Sequence, residues 1–258
     1  MRVVIVHDWL DGYRGGERVL EVIANIFPKA PIYTLFYESS KLPKELAARQ
    51  VYYPKKIALL KKMRRFLLPF LPSVIESFDL QNFDLIISTS SCVAKGVIPA
   101  PDAKHICYIH SPMRYIWDQS EIYRPKIIKK LHLNPIYNLC LNYLRIWDVS
   151  SSARVDEFIA NSTYVGLRVK KFYRRDSSVI HPPVDTKKIS SIIHNSPQKL
   201  DDYYIIAGCF VPYKNFDLAI NTFVKNKKKL IVVGDGPQKK YLKSLAKDNI
   251  VFITHPPY

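Results

Sequence analysis

Arg14-Gly15-Gly16-Glu17 lies between a β-branched run and an apolar helical pattern, a placement that can do chemistry. Glycine lets the backbone approach a ligand closely. The helix that follows offers free N–H groups and the positive end of its dipole, so the pair suits a phosphate. The loop is neither G-x-G-x-x-G nor a Walker loop, and a plain tight turn uses the same residues. A second cluster runs Cys107-Tyr108-Ile109-His110-Ser111-Pro112-Met113-Arg114-Tyr115-Ile116-Trp117-Asp118. It puts His110 at the carboxyl end of a buried strand, the edge where open α/β sheets bind ligands. An imidazole there can hydrogen-bond a sugar hydroxyl or a phosphate; a capped structural histidine is the competing reading. Arg114, Trp117 and Asp118 crowd behind it. The third cluster is Gly208-Cys209-Phe210-Val211-Pro212-Tyr213-Lys214-Asn215. Lys214 stands just before a helix, where an ammonium and the helix N-terminus can hold one anion together, or where it is an ordinary solvated lysine. Gly234-Asp235-Gly236-Pro237, at the next strand-to-helix turn, is a common turn sequence.

The elements that would position these clusters alternate from the first residue. Arg2–Val6, Ile32–Phe36, Leu85–Ser88 and Ile106–Ile109 read as strands. Glu17–Phe27 reads as a helix, with Val19, Val22, Ile23, Ile26 and Phe27 at helical spacing and a stop at Pro28. Residues 126–172 are mostly helical, with breaks at Asn134-Pro135 and Phe158–Ala160. Pro182-Pro183 then forces extended backbone. Ser190–Asp202 is polar and lacks periodicity, so it reads as a linker. Alternation restarts with strand Tyr203–Ala207, helix Phe216–Val224, strand Leu230–Val233, helix Gln238–Ala246 and strand Ile250–Ile253. Strand, crossover helix, strand is the order of a doubly wound parallel sheet. The expected organisation is α/β: a complete N-terminal Rossmann-like domain at 1–189, a linker at 190–202, and a partial second Rossmann-like domain at 203–258.

Composition narrows the partners. The chain has 258 residues, 48% hydrophobic and 24% charged, which excludes a disordered, collagen-like or disulfide-scaffold protein. Thirty-nine Lys and Arg against twenty-two Asp and Glu leave +17, which predicts an anionic partner: phosphate, nucleic acid or an acidic membrane surface. RNA-recognition, KH and zinc-finger patterns are missing and the charge is spread along the chain, so nucleic acid is not expected. Cys92, Cys107, Cys140 and Cys209 form no C-x-x-C pair, so a reduced interior without a metal is expected. The N-terminus turns polar at His7-Asp8, too early for a signal peptide, and no apolar run approaches a membrane span. The expected location is cytoplasmic, peripheral at the inner face of the cell membrane.

RGGERVLEV, YIHSPMRYIWD, ANSTYVGLRVKKFY with its PPVD follow-on, VPYKNFDLAI and VVGDGP resemble, in this order and spacing, glycosyltransferase family 4. The resemblance runs through essentially the whole chain. It implies the GT-B fold, two doubly wound domains, and looks most like a subgroup that transfers mannose or a related hexose during bacterial surface-polysaccharide synthesis. It implies no cofactor: a nucleotide sugar, GDP-mannose favoured, is the co-substrate, and a lipid-linked saccharide such as a lipopolysaccharide precursor is the acceptor. Gly15 and Gly16 would lie by the donor diphosphate, Gly16 and His110 by the reacting sugar. Gly208 and Lys214 would bind the diphosphate from the second domain, and Glu17, Arg114 and Trp117 would face the acceptor side. Such enzymes retain anomeric configuration, so no glycosidase-type carboxylate pair is needed. Two departures stand out. The family usually has an arginine five residues before the lysine, where this chain has Cys209; and no glutamate follows Glu157, although the family has two, eight residues apart. The expectation is therefore an acceptor domain with a truncated donor domain. The alternative function is a non-catalytic basic protein at anionic membranes, or a degenerate remnant.

Residues 55–68 read as one basic amphipathic helix. Leu59, Leu60, Met63, Phe66 and Leu67 share a face; Lys55, Lys61, Lys62, Arg64 and Arg65 share the other. That pattern suits an anionic bilayer, with Lys61, Lys62, Arg64 and Arg65 as the contacts. A helix buried on one side and solvated on the other has the same pattern.

Overall fold

Four consecutive β-branched residues, Val3-Val4-Ile5-Val6, start the first strand, β1 (Val3–His7). Their side chains alternate between two cores: Val4 and Val6 enter one, Ile5 the other. That is the pattern of a strand buried on both faces. The computed structural model describes residues 1–60, 63–195 and 202–254. They divide into two compact units, Met1–Val184 and Asp185–Tyr258.

The first unit holds a seven-stranded, all-parallel sheet. After β1 come β2 (Ile32–Thr34), β3 (Val51–Tyr52), β4 (Leu85–Ser90), β5 (Lys104–Ile109), β6 (Glu157–Ala160) and β7 (Ser178–Val179), in the order β3-β2-β1-β4-β5-β6-β7. The chain builds outward from β1 on one side, then returns to place β4 on the other. The β1–β4 junction is therefore the topological switch point, with His7 level with Thr89 at its carboxyl end. The short edge strand β3 escaped the sequence reading, because two residues carry no periodicity.

Three longer helices cover this sheet: α1 (Gly15–Ile26), α2 (Asn134–Ser152) and α3 (Thr163–Tyr173). On α1 the buried face differs from the expected one. Val19, Leu20 and Ala24 are buried while Val22 and Ile26 are exposed. Leu20 and Ala24, four residues apart, meet Ile5 and Ile32, with Ile23 and Phe27 packed beside them, so the buried face is shifted and leaves Val22 and Ile26 to solvent. Pro135 opens α2 within its first turn. Ser162 caps α3, its Oγ accepting from Val165 N at 3.3 Å.

The loop after β4 carries one partner of a buried ion pair. Lys95 Nζ sits 3.0 Å from Asp148 Oδ1 and donates to Ser151 Oγ at 2.6 Å; Trp117 Nε1 and Tyr173 OH also donate to Asp148. These bonds tie α2 to the loop after β4 and to α3. Burial pushes the Cys107 thiol up to about 12, so it packs as an apolar group.

The 55–68 segment is not one helix. One turn at Lys55–Ala58 and another at Arg64–Leu67 are followed by a 3₁₀ turn at Leu68–Phe70. The i→i+3 bonds from Leu60 N to Ile57 O and from Met63 N to Leu60 O break the helical ladder. Ile57, Leu67 and Leu68 pack on the core while Leu59, Leu60, Met63 and Phe66 stay exposed, so the apolar face divides in two. Lys61 and Lys62 lie outside the described residues, as do the side chains of Arg64 and Arg65.

The second unit contains α4 (Thr186–Asn195), β8 (Tyr204–Ala207), α5 (Phe216–Asn226), β9 (Leu230–Val233), α6 (Lys239–Leu245) and β10 (Ile250–Ile253). Its three strands are parallel in the order β10-β9-β8. α4 corrects the expected linker over residues 190–195: nothing in Thr186–Asn195 is proline or glycine, and its helix continues through the serines. Residues 196–201 of that linker lie outside the described residues. One face of the sheet packs Phe210, Phe216, Ile220, Leu230, Val232 and Leu242. On the other, Ile205 is 62% exposed and Val251 is also exposed.

Candidate functional site

In the first unit, the carboxyl edge of the sheet gathers four residues: His7 from β1, Thr89 from β4, His110 just past β5, and Gly16 in the first turn of α1. His7 Nδ1 shares a short hydrogen bond with Thr89 Oγ1. The main chain of His110 is fixed from both sides, its N donating to Ser90 O at 2.8 Å and its O accepting from Asn161 Nδ2 at 3.1 Å. Its Nε2 is screened from solvent and has no hydrogen-bond partner. A buried, unpaired polar atom is costly unless a ligand satisfies it.

Gly16 faces that atom. A Cβ on Gly16 would lie 3.5 Å from His110 Nε2 and 3.8 Å from His7 Cε1. The glycine thus keeps open the space into which Nε2 points. Gly15 has nothing within 4 Å of a Cβ and faces open space.

Burial lowers the pKa of both histidines to about 4; for His110 the proximity of His7 adds to it. Both are neutral imidazoles at pH 7. A neutral Nε2 beside a helix N-terminus can hydrogen-bond a hydroxyl without drawing an anion away from the helix.

The next residue anchors this edge. The Asp8 carboxylate accepts from the backbone N–H of Ser91 (2.5 Å), Cys92 (2.8 Å), Val93 (2.8 Å) and Ala94 (2.7 Å), and from Ser91 Oγ (3.1 Å). Five donors fix the loop after β4 against the end of β1. Sequence reasoning missed His7, Asp8 and Thr89. The available signal was two polar residues at the carboxyl end of a fully buried run.

The proposed acceptor-side residues are not brought to Gly16 and His110 by any of these bonds. Glu17 is 4% exposed, and its Oε2 accepts from Arg14 N at 2.8 Å, capping α1 as the third helical residue does in a capping box. Trp117 spends its indole N–H on Asp148 Oδ2 at 2.8 Å and stacks on Phe172 at 4.6 Å. Arg114 is exposed in the loop after β5. That loop is held by Arg168, also missed in the sequence. It grips Asp118 with two bonds (2.6 and 2.9 Å) and donates to Ser111 Oγ at 3.2 Å.

In the second unit, Gly208 and Lys214 come together. Gly208 has φ +152, and a Cβ there would lie 2.9 Å from Lys214 Nζ. Lys214 is exposed at the end of a 3₁₀ turn (Pro212–Lys214) directly before α5, and Cys209 is exposed beside it. Gly234, at φ +138, would place a Cβ 1.9 Å from Gly208 O, so the turns after β8 and β9 interlock through glycine backbone.

Among the described residues, no group of three His, Cys, Asp or Glu side chains could hold a metal. Nor is any helix among them long and apolar enough to cross a membrane.

Comparison with known proteins agrees with this architecture. The family model "Glycosyltransferase Family 4" matches residues 13–188. Over 168 residues the chain is 26% identical to alpha-1,3/1,6-mannosyltransferase ALG2 of Kluyveromyces lactis, a match covering 60% of this chain and 29% of that protein. The match thus spans less than a third of that relative's length. Among solved structures, Anabaena HepE in complex with UDP is similar with a TM-score of 0.58 at 14% identity, over 98% of this chain and 69% of that one. A TarM variant of S. aureus, in complex with fondaparinux, alpha-GlcNAc-glycerol and UDP, is similar with a TM-score of 0.56 at 12% identity, over 99% and 78%. At these identities the likeness concerns the fold alone, and the fold is GT-B.

Proposed function

The chain belongs to glycosyltransferase family 4, and from that premise we propose that it handles a nucleoside-diphosphate sugar and transfers its hexose, mannose favoured, to a lipid-linked saccharide. The observation that carries this reading is the unsatisfied Nε2 of His110 opposite Gly16, at the switch point of a parallel sheet. A sugar hydroxyl supplies the missing partner, and the N-terminus of α1 meets the diphosphate charge. Lys214, exposed in the second unit, is a cation suited to a phosphate group. Mannose is favoured because the curated relative is a mannosyltransferase; HepE and TarM were solved with UDP, so the uracil nucleotides are the other candidates.

The transfer balances without a protein carboxylate pair. The bond from the anomeric carbon to the diphosphate oxygen breaks, and a bond to the acceptor oxygen forms on the same face. The acceptor's hydroxyl proton passes to the departing diphosphate oxygen. The protein's contribution is electrostatic: N–H groups and a cation hold charge as it develops on the leaving group. In this reading the first unit serves the acceptor and the reacting sugar, and residues 203–258 serve the nucleotide. The chain works at the inner face of the membrane, against which its basic 55–68 segment rests.

One observation favours binding without turnover: Cys209 is an exposed, uncharged thiol where the family resemblance places an arginine. Thermal unfolding with GDP-mannose, UDP-glucose, GDP and UDP tests the main reading. Ligand at 100 times its dissociation constant should stabilise by about 2.7 kcal/mol. No shift with any of the four overturns it. A shift without product release selects the binding reading.

A further inference from the structure

α2 is apolar on two opposite faces. Leu141, Leu144 and Trp147 are buried against the sheet, yet Ile136, Leu139, Tyr143 and Ile146 are 60%, 71%, 44% and 67% exposed. Their 3-4-3 spacing makes one straight stripe, about 15 Å long at helical rise. Pro135, Asn138 and Asn142 flank it, so this exposed surface carries no charge from Pro135 to Tyr143. Soluble monomers rarely leave such a surface to water.

The stripe does not stand alone. The Leu68–Phe70 turn packs against α2, and around that turn Leu59, Met63, Phe66 and Phe70 are also exposed. These apolar groups sit in two stretches of the chain without any acid. None occurs between Glu45 and Glu76, where there are seven Lys and Arg, nor between Glu121 and Asp148, where there are five. Lys55, Lys56 and Lys130 are exposed.

We infer that the outward stripe of α2 is a lipid-inserting surface, which lies in the interface of an anionic bilayer and is drawn there by the basic residues of its own acid-free stretch and of the one that packs against it. Charge decides the occupant. A second copy of this chain would bring two basic surfaces together, whereas anionic headgroups neutralise them. Shallow insertion suits a helix whose other side is fastened into the protein, and Tyr143 places an amphipathic ring at headgroup depth. The inference deepens the peripheral part of the proposed function and rests on it, while moving the main apolar contact from the 55–68 segment to α2.

The test is co-sedimentation of the full chain with vesicles of equimolar phosphatidylcholine and phosphatidylglycerol, against phosphatidylcholine alone. The Leu139→Ser/Ile146→Ser variant changes exposed positions and should keep the wild-type melting temperature. It is expected to bind the anionic vesicles at least about tenfold more weakly. A Leu139→Trp variant should be quenched by brominated lipid. Wild-type binding by the serine variant, or an unquenched tryptophan at 139, overturns the inference even where Lys55→Gln/Lys56→Gln weakens binding and so leaves the 55–68 reading intact. Loss of a dimer in the serine variant with unchanged vesicle affinity also overturns it, in favour of a second copy. Failure of the wild type to bind either vesicle removes the peripheral reading itself, whatever the nucleotide-sugar measurements give.

Discussion

The carboxyl edge of the seven-stranded sheet and that of the three-stranded sheet perform the same topological job with different means. The first is held by side chains: a carboxylate with five donors, a buried and a part-buried histidine, and an ion pair from the loop after β4. The second is held by backbone, through glycines at positive φ packed turn against turn, and its Lys214 is solvent-exposed. The first sheet has cores on both faces; the second has one face packed and Ile205 out on the other. A ligand edge can be rigid through polar bonds or through close backbone contact. The two routes fail under different insults.

Acid should separate them most. His7, His105 and His110 lie in the first unit with pKa values of about 4, lowered by burial from 6.5. Between those values the unfolded chain binds protons that the folded chain refuses. Stability is therefore whole above about pH 6.5 and falls as pH drops toward 4, by on the order of 3 kcal/mol per histidine. The three tryptophans, Trp9, Trp117 and Trp147, all lie in the first unit, so urea unfolding followed by their fluorescence reads it alone. Equal midpoints at pH 7 and pH 5 would contradict the assignment.

Asp8→Ala should come next. It orphans four backbone donors and should destabilise the first unit by about 4 kcal/mol in the same assay. Gly234→Ala is the counterpart in the second unit, at about 3 kcal/mol, because the new Cβ meets Gly208 O and the backbone is strained. It should speed proteolysis within residues 203–258 and leave the tryptophan transition where it was; a moved transition would mean the units are not independent. The smallest effect is a gain. Cys209→Arg should tighten nucleoside-diphosphate binding about tenfold by restoring a charge-assisted contact. Unchanged affinity would show that the exposed turn after β8 does not touch the diphosphate.

The same contrast explains what could be read without coordinates. Strands buried on both faces announce themselves, and β1, β4 and β5 fall within two residues of their expected bounds; β8, β9 and β10, packed on one face, do so as well through their apolar runs between turn residues. Gly16 and His110 stood out because glycine and histidine are unusual at those places in the pattern. Asp8 did not: its partners are main-chain groups over eighty residues away, and backbone donors leave no trace in composition. Glu17 looked functional and is a helix cap, since a carboxylate in the first turn of a helix serves either purpose. The 55–68 segment has perfect helical periodicity yet forms separate turns, because its apolar residues divide between the core and the surface.

Asp8 follows His7 directly in the chain. The peptide that positions the imidazole is therefore clamped, one residue on, by the loop after β4, before anything arrives to be recognised. Ordering at this edge is settled when the protein folds, so an incoming molecule loses its own freedom there but little of the host's. Binding at this edge, as proposed, should leave the strands and their termini where they already are.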